Sequence, residues 1–404
     1  MAKIAVMGYG TIGSGVVEAI SMNQESIQKK TGEEIIVKYV LDLREFPGDP
    51  IQDRIVHDYQ IIAQDPEITV VVETMGGVEP AFTFSMAMLK AGKSVVTSNK
   101  AVVAEYGAEL METAVENHCN FFFEASVGGG IPIIRPLYTC LSPDVVTEIT
   151  GILNGTTNYI LSEMSQKGVS FGEALKEAQA LGYAERDPSA DVEGSDACRK
   201  IAILSSVAMG KKVVYTDIHT EGITGVTTED FRYAEKMGMS IKLLASSRMS
   251  EDHRHMQSMV APFLIDRDHP LFGVHDVFNA VMVTGNVVDQ LMFFGRGAGK
   301  LPTAAAVVAD VIEAVKLKDV CETEPWSSTV LKPDDYSRYT ARFMVRLPED
   351  MDRDLCEELF CPEKVLTGVV EGELALITAP MTERGYAEAA ARAGRVISRT
   401  RLYC

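Results

Sequence analysis

Lys3-Ile-Ala-Val-Met-Gly-Tyr-Gly-Thr-Ile-Gly13 is a short apolar run that ends in the spacing G-x-G-x-x-G. An amphipathic pattern follows (Val16, Val17, Ile20, Ile27), and a second strand-like run, Ile35 to Leu41, ends in Asp42. The glycine spacing alone carries little weight. Set between a strand and a helix, with an acidic residue closing the next strand, it marks a dinucleotide-binding βαβ unit. Gly8 permits the tight turn, Gly10 lets a pyrophosphate approach the backbone, and Gly13 lets helix and strand pack closely. Thr11 and Ile12 lie at the helix start that faces the phosphates. Asp42 suits the ribose hydroxyls of NAD, and Arg44 suits the 2′-phosphate of NADP, so cofactor choice stays open.

Outward from this unit the α/β pattern repeats. Ile68 to Gly76 reads as a fully apolar strand of a parallel sheet, a helix spans Pro80 to Ala91, and a strand spans Lys93 to Thr97. Ser98-Asn-Lys100 then falls at a strand's carboxyl end, the edge where open parallel sheets bind ligands. Lys100 reads either as a ligand contact or as a solvated surface lysine. The next strand, Cys119 to Ala125, runs into Glu124-Ala-Ser-Val-Gly-Gly-Gly-Ile-Pro132. Three glycines leave backbone carbonyls unshielded, and with Glu124 they could hold a hard cation through oxygen. The residues alone favour a flexible turn.

From about residue 145 the pattern changes. Val145 to Leu153 reads as a strand, Asn154-Gly-Thr-Thr-Asn-Tyr159 leads a helix to about Gln166, and a second helix spans Phe171 to Leu181. An acidic loop follows, Gly182-Tyr-Ala-Glu-Arg-Asp-Pro-Ser-Ala-Asp-Val-Glu-Gly-Ser195, then a helix from about Asp196 to Met209. Asp196 and Lys200 share one helix face, and the rest of the helix is apolar nearly all round, hence buried. A buried ammonium is costly without partners. Glu185, Asp187, Asp191 and Asp196 can supply them, in a structural ion pair or in an active site. Four strand-like runs come next (240–249, 255–266, 277–284, 290–295). Gly295-Arg-Gly-Ala-Gly-Lys300 then precedes a helix expected to start with Pro302 at its first position. The tail reads strand (340–347), helix (353–359), two strands (365–370, 373–378), helix (381–393) and strand (396–402). That β-α-β-β-α-β order is ferredoxin-like.

The fold class is therefore α/β: a Rossmann-type dinucleotide-binding domain (1–144 plus about 300–320) with an inserted α+β domain (145–299). A linker (321–337) and a ferredoxin-like domain (338–404) complete it. A net charge of −19 argues against a nucleic-acid surface. No apolar run reaches the ~20 residues that cross a bilayer, and no secretory pattern opens the chain. Seven cysteines, odd in number and without framework spacing, point to reduced thiols in a cytoplasmic protein. Cys356 and Cys361 have no nearby histidine for zinc, and His253 and His255 alternate as strand residues would.

Gly151-Ile-Leu-Asn-Gly-Thr-Thr-Asn-Tyr-Ile160 and the Gly182–Lys200 stretch resemble the signature segments of homoserine dehydrogenases. Gly8–Gly13, Ser98–Lys100, Glu124–Pro132 and Gly295–Thr303 fall in that family's order, and the resemblance covers residues 1 to about 320. The resemblance is to the monofunctional form, with a tail that more loosely resembles an ACT regulatory domain. It implies hydride transfer between a nicotinamide (NADP or NAD) and L-aspartate 4-semialdehyde, giving L-homoserine, in threonine, methionine and isoleucine biosynthesis. By that resemblance Lys200 is the general acid and base, Asp196 orients it, and Glu185 and Asp191 hold the substrate's amino group. Lys100 assists at the reacting centre or at the substrate's carboxylate. Glu124, with the backbones of Val127, Gly129 and Ile131, matches the family's sodium site. Gly182 and Gly297 match cofactor-contacting glycines, and Thr74 matches a position on the nicotinamide side. The resemblance also gives the inserted domain (145–299) the substrate, catalytic and dimerisation roles, and implies a homodimer or homotetramer. Arg296 and Lys300 stand where the family more often has Pro and Gly. Leu347-Pro-Glu-Asp replaces the Asp-x-Pro-Gly loop common in ACT domains. Two rivals stay open: another amino-acid dehydrogenase of similar architecture, and a non-catalytic NAD-binding amino-acid sensor.

Overall fold

A computed structural model describes residues 1–250, 254–318 and 320–403; His253 and Cys404 lie outside them. The chain divides into two compact units. The first comprises Met1–Val145, Ala202–Tyr215 and Gly295–Leu331, and the second Val146–Ile201, Thr216–Phe294 and Lys332–Cys404.

The first unit is built on a six-stranded sheet in the order Ile55–Val56, Ile35–Leu41, Ala2–Met7, Ile68–Glu73, Ser94–Thr97, Phe121–Phe122, and every neighbour is parallel. The order reverses beside the first strand, which is the switch point where such sheets bind dinucleotides. The central strands are buried on both faces, so they are continuous runs of Val and Ile (Ile4, Val6, Val70, Val72, Val96) rather than alternating ones. The helix Thr11–Met22 packs Val16 and Ile20 against Val307, Val308 and Val311 of the helix Lys300–Lys316. That helix begins two residues before Pro302, with Gly299 as its N-cap. The proline is therefore not the first helical residue, but it still sits in the first turn, where its missing N–H has no intrahelical partner to lose.

The strand expected over 119–125 is reduced to Phe121–Phe122. A returning segment meets it there: Phe121 N–H donates to Thr323 Oγ1 (2.9 Å), and the Asn120 side chain donates from Nδ2 to Val320 O (2.8 Å) and accepts at Oδ1 from Glu322 N–H (2.7 Å). Residues 321–337, read as a linker, also bring Trp326 into the first unit, where it is buried against Gly107 of the helix Lys100–Glu116. Ser327–Val330 then pairs with Lys211–Lys212.

The second unit carries an eleven-stranded sheet. Its main path runs Asp289–Arg296, Phe278–Gly285, Val146–Ile152, Met239–Met249, Met256–Asp266, Ser398–Leu402, Thr340–Pro348, Glu373–Thr378, Pro362–Thr367. The last four strands are the tail, antiparallel throughout and in the ferredoxin-like spatial order. They have a core of their own around Phe343, Leu359, Phe360, Leu376 and Tyr386, yet they extend the same sheet: Phe263 pairs with Arg401 and Leu264 with Leu402. No described helix is long and apolar enough to cross a membrane.

Candidate active site

In the first unit the Gly8–Gly13 turn has the geometry its spacing requires. Gly8 has φ +94°, and a Cβ on Gly13 would lie 1.9 Å from the Gly8 carbonyl oxygen. Thr74 pins the turn from the neighbouring strand, its hydroxyl donating to Gly8 O (2.9 Å). No side chain caps the helix that starts at Thr11, and its first turn holds no acidic residue. Its leading N–H groups are left for an anion.

Asp42 and Arg44 form one device. The Arg44 Nε and Nη2 atoms each donate to the Asp42 carboxylate at 2.9 Å, Tyr9 N–H adds a bond at 2.8 Å, and Nη2 also reaches Tyr9 O (3.1 Å). The guanidinium beside Asp42 holds its carboxyl well below the usual carboxylate range. The pair fixes an exposed fork at the glycine turn.

Lys100 opens the helix Lys100–Glu116, capped by Asn99, whose Oδ1 accepts from Ala101 and Val102 N–H. The Asn99 amide nitrogen donates to Gly77 O (2.6 Å). Glu73, fully buried at the end of its strand, accepts from Thr97 Oγ1 (2.6 Å) and Met75 N–H (2.7 Å), and burial pushes its carboxyl up. Sequence reading passed over Glu73 and Thr97, and gave Asn99 a place beside Lys100 without a role. Together they fix the loop after Thr74 and the position of Lys100.

Glu124 opens a 3-10 turn, Glu124–Ser126, instead of closing a strand, and has a task of its own. Its carboxylate accepts N–H bonds from Ile133 (2.5 Å), Ile134 (2.8 Å) and Arg135 (2.8 Å). Within the loop, the backbone bonds fall on the carbonyls of Phe123, Glu124 and Gly128. The triple glycine has a packing reason too: a Cβ on Gly129 would be 2.5 Å from the Gly297 carbonyl.

The helix Ser195–Met209 begins in the second unit, where residues 195–201 present Asp196 and Lys200 on one face, both buried. The Lys200 Nζ lies 2.7 Å from Asp196 Oδ2 and donates to Leu153 O at 2.7 Å. An ammonium has three donors, so one remains for a substrate oxygen. Asn154, the N-cap of the helix Gly155–Lys167, binds the cluster together. Its Oδ1 accepts from Thr157 N–H (2.8 Å), while Nδ2 donates to Asp191 Oδ1 (2.7 Å) and Asp196 Oδ2 (2.8 Å). Two carboxylates against one ammonium leave an excess negative charge, which favours a cationic group on the substrate. Glu185 is exposed on the adjoining loop, and that loop is tied to the site by Thr156 Oγ1 donating to Tyr183 O (2.7 Å). Among the described residues no hydrogen bond joins the Glu185 carboxylate to the cluster. Gly182 lies on the same loop, in the second unit; Gly297 and Lys300 are in the first, where Lys300 pairs with Glu18 (2.6 Å) on the surface.

Comparison with known proteins points to one family. The homoserine dehydrogenase family model matches residues 132–312, and the model of the homoserine dehydrogenase NAD-binding domain matches residues 8–124. The chain belongs to the homoserine dehydrogenase family. A homoserine dehydrogenase of Synechocystis sp. is 45% identical over 328 residues, covering 80% of this chain and 75% of that protein. The crystal structure of a homoserine dehydrogenase from Thiobacillus denitrificans superposes with a TM-score of 0.90 at 34% identity, covering 99% of this chain and 98% of that one. A hyperthermophilic archaeal homoserine dehydrogenase in complex with NADPH has a TM-score of 0.66 at 28% identity. It covers 78% of this chain and 97% of its own. As a member of this family the chain is an oxidoreductase with an NAD(P)-binding domain, acting on a small molecule.

Proposed function

We propose that Lys200 is the general acid and base for exchange between L-homoserine and L-aspartate 4-semialdehyde, with Asp196 orienting it. The observation that carries this is the Asn154 amide holding Asp191 and Asp196 together around the Lys200 ammonium. A bound nicotinamide supplies or accepts the hydride. In reduction, Lys200 gives a proton to the carbonyl oxygen as alkoxide charge develops there; in oxidation the amine takes the hydroxyl proton. Asp191 and Glu185 receive the substrate's ammonium, and Lys100 meets its carboxylate or assists at the reacting centre. Gly8, Gly10, Thr11, Ile12 and Gly13 cradle the pyrophosphate. Gly182 and Gly297 contact the cofactor, and Thr74 contacts its nicotinamide side.

Both NADP and NAD serve, in this reading, with Arg44 receiving the 2′-phosphate and Asp42 the ribose. A sodium ion at the Glu124 carboxylate and the carbonyls of Val127, Gly129 and Ile131 fits the donor set, since hard oxygen ligands suit such an ion. Its role is structural, in the loop that backs Gly297. The tail is ACT-like and helps assemble or rigidify a homo-oligomer through the small-residue face of Ala387, Ala390 and Ala391, of which Ala387 and Ala391 are exposed and Ala390 also packs on the tail's own core. It responds weakly to threonine: Asp352 already takes the N–H groups of Asp354 (2.9 Å) and Leu355 (3.4 Å) at the loop where an effector carboxylate would dock.

The test is absorbance at the reduced-nicotinamide band after mixing the protein with L-homoserine and either cofactor. Turnover with both is expected. Turnover only with a different amino acid would favour another dehydrogenase, and nucleotide binding without any turnover would favour a sensor.

A further inference from the structure

The loop that carries Asp191 rests on a segment that the C-terminal strand holds in place. Ser189–Val192 is a single helical turn, and its Val192 carbonyl accepts a hydrogen bond from Ile223 N–H (2.8 Å). The residue before, Gly222, is pressed onto the same turn: a Cβ there would lie 2.1 Å from Val192 O and 2.6 Å from Glu193 Cα. No side chain fits, so the two backbones are in direct contact and a shift of one displaces the other.

Glu221 anchors that segment. Its N–H donates to Val260 O (2.7 Å), and its carboxylate receives the Arg401 guanidinium through two bonds, Nη1 to Oε2 (2.8 Å) and Nη2 to Oε1 (2.6 Å). Arg399 (2.9 Å) and His219 (2.8 Å) complete its partners. Burial alone would raise the Glu221 carboxyl, but Arg401 and His219 outweigh it and hold the group well below its ordinary range. Arg401 is almost wholly buried, and its Nε pairs with the buried Glu383. A two-pronged ion pair, buried on the arginine side and half-buried on the glutamate side, tolerates little displacement.

We propose that Arg401 is a positioning residue for the substrate site. Through Glu221 and Gly222 it sets the height of the 189–194 turn, and so the place of Asp191 beside Asn154 and Asp196. This rests on the reading of Asp191 as a substrate residue. The link is specific to one of the tail's two buried arginines. Arg346, equally buried, pairs instead with Asp230 (2.9 Å) and Glu373 (2.7 Å), and none of these contacts touches the 189–194 turn.

The experiment compares wild type, Arg401→Met and Arg346→Met by backbone hydrogen exchange over 189–194 and by KM for L-homoserine and for cofactor. Arg401→Met is expected to raise exchange in the turn and to raise the homoserine KM about tenfold, with the cofactor KM within about twofold of wild type. Arg346→Met is expected to lose thermal stability without either change. Unchanged exchange over 189–194 in Arg401→Met, or an equal rise in Arg346→Met, overturns the proposal. Raised exchange with an unchanged homoserine KM removes Asp191 from the substrate site, and the positioning role falls with it. If Arg401→Met fails to fold, Glu221→Gln, which keeps shape and both arginines, carries the same test with the same criteria.

Discussion

Asn154 does two jobs with one amide: its oxygen caps a helix and its nitrogen joins two carboxylates. Removing it frees Asp191 and Asp196 to repel each other beside Lys200. Asn154→Ala should cost about 1 kcal/mol of stability as a lost N-cap and lower kcat/KM for homoserine by more than about tenfold, read by thermal melting and steady-state assay. Arg44→Ala should raise the NADP KM by about 10- to 100-fold, the scale of a charge-assisted hydrogen bond, while the NAD KM stays near wild type. At this scale the sequence shows what lies within one turn of helix. Asp196 and Lys200 are legible because four residues on a helix set them side by side. Asn154 meets its carboxylates 37 and 42 residues further along the chain. No local spacing encodes that contact.

Among the elements, the strongly periodic ones follow the sequence closely, as with Ser195–Met209 against an expected start at Asp196. Phe121–Phe122 does not, because a segment two hundred residues later satisfies its edge. Glu124 likewise takes its three N–H partners from residues 133–135, at the start of the helical segment that continues through Pro136–Cys140, a contact across the glycine loop that no local spacing encodes. Removing sodium should lower the melting temperature of the loop's unit; equal melting and activity in sodium-free and sodium-containing buffer would rule the ion out. In the strand Met239–Met249, Lys242 is buried and donates to Val274 O (2.5 Å). Burial pulls its pKa down to about 8, below its value near 10.4 in an unfolded chain. Between those values the unfolded chain binds more protons, so stability rises with pH across that window. Melting of wild type minus melting of Lys242→Met should therefore climb from pH about 8 to about 10, and a flat difference would show that Lys242 keeps its proton in the fold across that window.

For the molecule as a whole, the ferredoxin-like order of the tail was legible from its alternating elements, but its place was not. Strand Ser398–Leu402 docks beside Met256–Asp266, and the buried Arg401 on it meets Glu221, 180 residues away in sequence. Cutting the chain after Leu331 would expose that edge, an unpaired strand prone to association. Such a truncated protein should aggregate, as light scattering would show. In the intact protein, L-threonine should inhibit weakly or not at all. The central claim is that Lys200 moves the proton in the homoserine reaction, and its most direct test is homoserine oxidation by Lys200→Ala beside wild type, with circular dichroism confirming the fold. The account predicts a kcat lower by about 10²–10⁴-fold with the cofactor KM little changed; a folded Lys200→Ala enzyme that turns over at the wild-type rate would contradict it.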